Sequence, residues 1–225
     1  MPRNEVKYHS QWEQDRWVNE NLFHDQHRGV FIDVGAHDGV TGSNTLFFEK
    51  ELEWSGLCIE PNPEVFERLS QNRSSVLVNC CAYDTDGTVV FSKNRGYTQM
   101  LRGVVQDYNP AHLQRIAQEQ KVKGGETQFI MVPSLRLDTL FERHGIERVN
   151  YMTVDTEGSE LKVLQGVDFE RVRVDVIDVE INYEDERKPI HNFLISKRFV
   201  EVARLGGDSI YINMDLIPPP KEAEP

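Results

Sequence analysis

Hydrophobic positions along the chain fall into two rhythms, short apolar runs and longer stretches with a three-to-four-residue period, and the two alternate. Residues 10–25 are polar but carry Trp12, Trp17 and Leu22 on one stripe, which predicts a helix. "GVFIDVG" is a short apolar strand closed by Gly35. "SNTLFFEKEL" (43–52) fits a helix of about three turns, and "GLCIEP" (56–61) is a second strand ended by Pro61. "PEVFERLSQN" (63–72) opens with proline at its first helical position and spaces Val65, Phe66 and Leu69 for a helix. "SVLVNCCAYD" (75–84) predicts a third strand, and "DGTVVF" a further alternating strand behind a turn signal.

Residues 92–128 break this pattern. They are polar, punctuated by glycine and weakly periodic, with one helix starting at Pro110 behind Asn109 as its cap. The segment reads as a lid-like insertion. Alternation then resumes. "LRLDTLFERHG" is a helix stopped by Gly145, and "VNYMTVD" (149–155) a strand. "SELKVLQG" is a helix capped by Ser159 and stopped by Gly166, and "VRVDVIDVEIN" (172–182) a strand rich in β-branched residues. "IHNFLISKRF" is a helix, after which "VEVARL" and "SIYINM" pair as an antiparallel edge. Strands alternating with helices imply an α/β fold: a mostly parallel sheet, helices on both faces, and ligands at the C-terminal strand ends near the switch point. The expected organisation is an N-terminal cap segment (1–28), one main domain (29–215) and a disordered tail (216–225). "PPPKEAEP" cannot bury anything; it is either a frayed end or the stub of a linker to more protein.

Composition narrows the partners. The chain has 225 residues, enough for one α/β domain and short for two. A formal charge of -12 repels nucleic-acid backbone and anionic lipid, so a neutral or cationic ligand or a metal ion is the easier expectation. Three cysteines, Cys58, Cys80 and Cys81, form no C-x-x-C pair and suggest a reducing, cytoplasmic setting. No apolar run approaches the roughly 20 residues of a membrane span, and the polar N-terminus does not read as a signal peptide.

The first strand climbs into a turn that is both glycine-rich and acidic, "FIDVGAHDGV". Glycine permits close backbone approach, but Asp33 and Asp38 would repel a pyrophosphate. The dinucleotide fingerprint G-x-G-x-x-G also fails, because Ala36, His37 and Asp38 follow Gly35. Glu60 ends the second strand, where a carboxylate can take both ribose hydroxyls of a nucleoside. Asp84 ends the third, within reach of an adenine amine, although "DTDG" is also an ordinary turn. An adenosine ligand with positive charge satisfies this set, and S-adenosylmethionine (SAM) has both a sulfonium and an ammonium. An apolar strand, a glycine turn and helix-capping acids would account for the turn without any ligand.

"FIDVGAHDGVTGSN", "GLCIEPNPEVFERL", "LDTLFERHG" and "YMTVDTEGSELKVLQGVDF" together resemble the FkbM family of SAM-dependent methyltransferases, over roughly residues 8–213. "SQWEQD" resembles the opening of one branch of that family. The sequence departs at Thr156, where Val is usual in the family. The resemblance implies a Rossmann-like class I methyltransferase that methylates an oxygen, often on a sugar or a natural-product hydroxyl.

On this reading Asp33 and Gly35 hold the methionine end of the cofactor, with His37 and Asp38 in the same turn. Ser43 and Asn44 stand at the following helix N-terminus, where free N–H groups can bind a carboxylate, and Asn62 stands beside Glu60. Gln11 and Gln14 close over the cofactor or lie on a solvated helix face. A second cluster gathers at the later strand ends: Asp155, Glu157, Glu180 and Asn182. Glu180 and Asn182 share a face by strand alternation. With Asp155 they would make an oxygen-rich site suited to Mg²⁺ or Mn²⁺, or Asp155 and Glu180 would serve the cofactor amine or shape the pocket without metal. A sugar hydroxyl is a poor nucleophile and needs a base; Asp155, Glu180 and His37 are the candidates. Tyr97, Gln99, Arg102, Tyr108 and His112 in the insertion are candidate contacts to a carbohydrate acceptor. The rival functions are an NAD-type oxidoreductase or epimerase, weakened by the absence of a Y-x-x-x-K pair in a helix, and a non-catalytic SAM-binding module.

Overall fold

The N-terminal segment sets the first limit on the sequence reading. In the computed structural model, which describes residues 7–95 and 101–217, α1 spans only Gln14–Val18 and passes into a π-helical turn over Asn19–Phe23. The longer helix expected over 10–25 is cut short at both ends. Glu13, His24 and Asp25 hold positive φ, and the Asp15 carboxylate accepts from the N–H groups of His9 and Ser10 and from the Ser10 hydroxyl. Such local side-chain bonds compete with the helical ladder.

From there the alternation holds. β1 (Val30–Val34), α2 (Leu46–Leu52), β2 (Ser55–Ile59), α3 (Pro63–Asn72) and β3 (Val76–Val78) follow in order. Asn62 caps α3 by accepting from Glu64 N, with Pro63 at N1. The single strand expected over 75–84 divides after Val78. Cys80 N turns back onto Val78 O, and the Asn79 amide donates to Glu60 O and Pro61 O. The chain then leaves for a second sheet as β4 (Cys81–Ala82).

That second sheet changes the picture of the insertion. β5 (Gly87–Arg95) and β6 (Gly103–Val104) precede α4 (Pro110–Lys123), and β7 (Glu126–Leu135) follows it. Asn109 caps α4, as its position before Pro110 predicted. β5 and β7 pair antiparallel from Gly87↔Ser134 to Arg95↔Glu126, giving the order β4-β7-β5-β6. The ends of the expected 92–128 insertion are therefore strand, continuous with residues outside it.

The chain returns to the main sheet with α5 (Leu137–His144), β8 (Arg148–Val154), α6 (Glu160–Gln165), β9 (Arg173–Glu180), α7 (Glu184–Ser196), β10 (Phe199–Leu205) and β11 (Asp208–Asn213). Helix α6 is capped by the Glu160 carboxylate, which accepts from Thr156 N and Gly158 N; the Ser159 hydroxyl donates instead to Asp107. The seven-stranded order is β10-β11-β9-β8-β1-β2-β3, parallel from β9 to β3 and antiparallel at β11 and β10. One face packs Ile32, Leu57, Met152 and Ile177 against α5, α6 and α7; the other packs Phe31, Cys58 and Tyr151 against α1 and α2, with Leu69 of α3. The strand order reverses between β1 and β8, which is where such sheets open a ligand crevice. Among the described residues no helix is long and apolar enough to cross a membrane.

Candidate functional site

Register lines up the site. Val34 pairs with Ile59 on one side and Val154 on the other, and Val154 pairs with Val179. The next residues, Gly35, Glu60, Asp155 and Glu180, therefore stand at one level, the first three just past their strands and Glu180 as the last residue of β9. Gly35 must be glycine. Its φ is +88°, and a Cβ there would stand 1.8 Å from Asp155 O. The space this glycine opens is filled by the protein's own strand end and not by a ligand.

The cavity over this row is lined from both sheets, by Asp33, Gly35, His37, Ser43, Asn44, Glu60, Asp155 and Glu157 on one side and by Phe91, Arg102 and Val104 on the other. Gln11 also lines it.

On the β1–β2 side the acids already have counterions. Asp33 accepts from the Thr45 hydroxyl and lies 3.5 Å from Arg73 Nη1. Burial pushes its carboxyl up, against Arg73. Arg73, itself buried, also donates to Glu49 at 2.7 Å, to Gly39 O and to the hydroxyls of Ser43 and Thr45. Burial pushes Glu49 up, but hydrogen bonds from Ser75 and Ser74, together with Arg73, outweigh it and hold Glu49 near 2. Nothing in the sequence pattern singled out Arg73; its place among the polar residues after α3 reads as surface.

Glu60 is fully buried. It accepts from His37 N at 3.1 Å, Asn62 N at 2.8 Å and Arg102 Nη2 at 2.8 Å. Burial raises its carboxyl, against the Arg102 charge. His37 lines the cavity with both ring nitrogens buried and without a hydrogen-bond partner. Burial and the charge of Arg102 hold it near 4, so its imidazole is neutral at pH 7. Asn44 has the same character, with Oδ1 unpartnered and its amide nitrogen donating to Thr153.

On the β8–β9 side the acids crowd one another. Carboxylate oxygens of Asp155, Glu157 and Glu180 lie within 4.8 Å of one another. Asp155 is exposed on one side, yet packing on the other, with Asp208 and Glu160 nearby, raises its carboxyl to about 7. Burial and the neighbouring carboxylates push Glu157 and Glu180 well above the usual range. Among the described residues no Lys or Arg forms an ion pair with the three; His112 Nδ1 stands 3.8 Å from Glu157. Glu157 holds a left-handed backbone, φ 59°, and was not among the sequence-based ligand residues.

Several expected contacts lie elsewhere. The Asp38 carboxylate closes its own turn on the N–H groups of Val40 and Thr41. Asp84 pairs with Lys162 at 2.7 Å and is not in the lining. Gln14 bonds to Asp208, and Asn62 serves α3 and Glu60. The Asn182 amide nitrogen faces Glu180 and Glu157, which makes it a donor to acids and not an oxygen ligand. Arg102 pairs with Glu60 at the β2 end of the cavity. Tyr108 stacks on His112 and donates to Leu101 O, which turns it to the interior of the second sheet. Tyr97 and Gln99 lie outside the described residues. Thr156, the departure from the usual Val, donates from its hydroxyl to Glu160 and tightens the α6 cap.

Three comparisons with known proteins place this geometry. No curated protein matches the chain. A crystal structure of methyltransferase FkbM from Methylobacillus flagellatus KT superposes with a TM-score of 0.52 at 12% identity, covering 84% of this chain and 44% of that one. The chain thus spans less than half the length of that structure, and the likeness speaks to fold. A precorrin-6y C5,15-methyltransferase from Geobacter metallireducens GS-15 is similar at a TM-score of 0.48 and 14% identity, covering 94% of this chain and 91% of that one. The family model described as methyltransferase FkbM domain matches residues 33–203, from the acidic turn of β1 to the last strands of the sheet. The chain belongs to the FkbM methyltransferase family.

Proposed function

We propose that the chain is a SAM-dependent O-methyltransferase whose acceptor is a carbohydrate hydroxyl. The observation that carries this reading is the row of strand ends across the switch point, with Glu60 at one end of the cavity and an uncompensated acid trio at the other. A cofactor with a ribose diol and a cationic centre suits both ends. The unpartnered atoms of His37 and Asn44 give it further polar contacts in the same cavity. The cofactor supplies the methyl group, as an electrophile on sulfur.

The residues take the remaining roles. Glu60 holds the ribose, with His37 beside it as a neutral imidazole. Asp33 is tied to Arg73 and Thr45 and stiffens the turn from within. Asp155 or Glu180 takes the proton of the acceptor hydroxyl as its oxygen attacks, a step worth roughly 10²–10⁴ in rate. Holding the reactants in line contributes up to about 7–11 kcal/mol. The second sheet closes the cavity from above and excludes water.

A divalent ion is a second reading, favoured by the convergence of three carboxylates at one point. Its ligands would be Asp155, Glu157 and Glu180, with Asn182 steadying two of them. Mg²⁺ or Mn²⁺ there would relieve the repulsion and polarise the acceptor hydroxyl. Incubation with methyl-labelled SAM and a panel of sugars, with and without EDTA, tests both readings. Label transfer to a sugar supports the enzyme. Transfer lost in EDTA and restored by Mg²⁺ or Mn²⁺ supports the ion, and full transfer in EDTA rejects it. Calorimetric binding of NAD in place of SAM would overturn the methyltransferase assignment of the cavity.

A further inference from the structure

Glu60 has almost no hydrogen-bonding capacity left. Oε1 accepts from Asn62 N, and Oε2 accepts from both His37 N and Arg102 Nη2. A carboxylate offers about four lone-pair sites, so three donors leave room for one more. A ribose diol brings two. Two of the resident donors are fixed in place. Asn62 N stands at the cap of α3. His37 N belongs to a turn held against β8 through Gly35, where not even a methyl group fits. Arg102 differs from both. It comes from the other sheet, immediately before β6, on a long side chain.

Charge points the same way. The guanidinium of Arg102 lines a cavity whose other end gathers three carboxylates, and its field reaches His37, Asp155 and Glu157. A ligand carrying a sulfonium and an ammonium is repelled by a fixed cation in the same enclosed space. The place of β6 is otherwise tight. A Cβ on Gly103 would meet Tyr108 at 2.9 Å and Thr156 O at 3.1 Å, so the backbone beside Arg102 packs directly on the loop after β8. The Arg102–Glu60 pair is thus a strap between the two sheets across the cofactor end.

We propose that Arg102 is a built-in occupant of the cofactor site: it holds Glu60 in the ligand-free protein and yields it to the ribose hydroxyls, so that cofactor binding and release of this strap are one event. The inference rests on the reading that Glu60 takes the ribose of SAM. Coupling of this kind is reciprocal. Whatever fixes the strap weakens the cofactor by the same factor, and the bound cofactor frees the second sheet at β6, the side from which an acceptor would enter.

The test is calorimetric affinity for SAM and for S-adenosylhomocysteine, measured on the full chain as wild type, Arg102→Gln, Glu60→Gln and the double variant. Arg102→Gln should bind both ligands about tenfold more tightly, the worth of one charge-assisted hydrogen bond. The gain should be larger for SAM, which alone carries the sulfonium. In the Glu60→Gln background the same change should alter the affinity for S-adenosylhomocysteine less than about twofold. Weaker or unchanged binding by Arg102→Gln overturns the exchange. If Arg102→Gln does not fold, Arg102→Lys replaces it. It keeps the charge but loses the fork, and it should bind S-adenosylhomocysteine more tightly than wild type; equal or weaker binding again overturns the exchange. Wild-type protein that binds neither ligand overturns the cofactor reading itself, an outcome distinct from both.

Discussion

The two ends of the cavity handle clustered carboxylates in opposite ways. At the β1–β2 end each acid has a resident partner: Asp33 and Glu49 share Arg73, and Glu60 has Arg102. At the β8–β9 end Asp155, Glu157 and Glu180 face one another. The first arrangement is stable without a ligand. The second carries repulsion that a cation would remove. The difference separates acids that already have a resident cation from acids that have none, and it does so without reference to sequence motifs.

Breaking the first end should cost most. Glu49→Ala leaves Arg73 buried beside Asp33 alone, and loss of one partner of a buried pair typically costs about 3–5 kcal/mol. Denaturant unfolding should read this as a lower midpoint with an unchanged slope. An effect below about 1 kcal/mol would mean that the Arg73 network is not structural.

Acidification should expose the same network. Glu49 sits near 2 in the folded protein, below its ordinary value. Its contribution is therefore present at neutral pH and lost as pH falls through about 4.5 towards 2, by up to about 3 kcal/mol. Asp155 has the opposite sign. It is raised to about 7, so the folded state holds a proton that the unfolded state gives up. That contribution is present below about pH 4 and lost as pH rises through 7. Stability of the ligand-free protein should fall between about pH 4 and 7, and Asp155→Asn should flatten this arm while leaving the acid arm intact.

Glu60→Gln should weaken SAM binding roughly tenfold or more, since each hydrogen bond to a charged group contributes about 1.5–3 kcal/mol. Isothermal calorimetry measures it, and an unchanged dissociation constant removes Glu60 from the ribose site. The smallest effect belongs to the crowded end. Glu157→Gln removes one of three crowded carboxyls and should stabilise the ligand-free protein by up to about 1 kcal/mol, read as a small rise in the unfolding midpoint. A loss of stability would show that Glu157 is held by favourable contacts after all.

Much of this contrast was legible in the sequence. The apolar strands, the glycine turn and the acids directly after Ile59, Val154 and Val179 follow from alternation and from the rule that α/β ligands sit at strand ends. Three things were not. Arg73 acts through a long side chain that reaches back to Asp33 and Gly39, 40 and 34 positions earlier, and no periodic pattern records such a reach. The second sheet was hidden because β7 exposes Phe129 and Met131 while burying Val132 and Ser134, so its alternation does not separate apolar from polar. Arg102 looked like an acceptor contact because a lone arginine in a polar stretch has no visible partner. Its partner, Glu60, is 42 positions away on another sheet.

A structure with bound S-adenosylhomocysteine tests the central claim most directly. The account predicts the ribose hydroxyls on Glu60, the sulfur facing Asp155, and Arg102 drawn away from Glu60. The reverse orientation, with the adenosine over Asp155 and Glu180 and the Glu60–Arg102 pair intact, would contradict it.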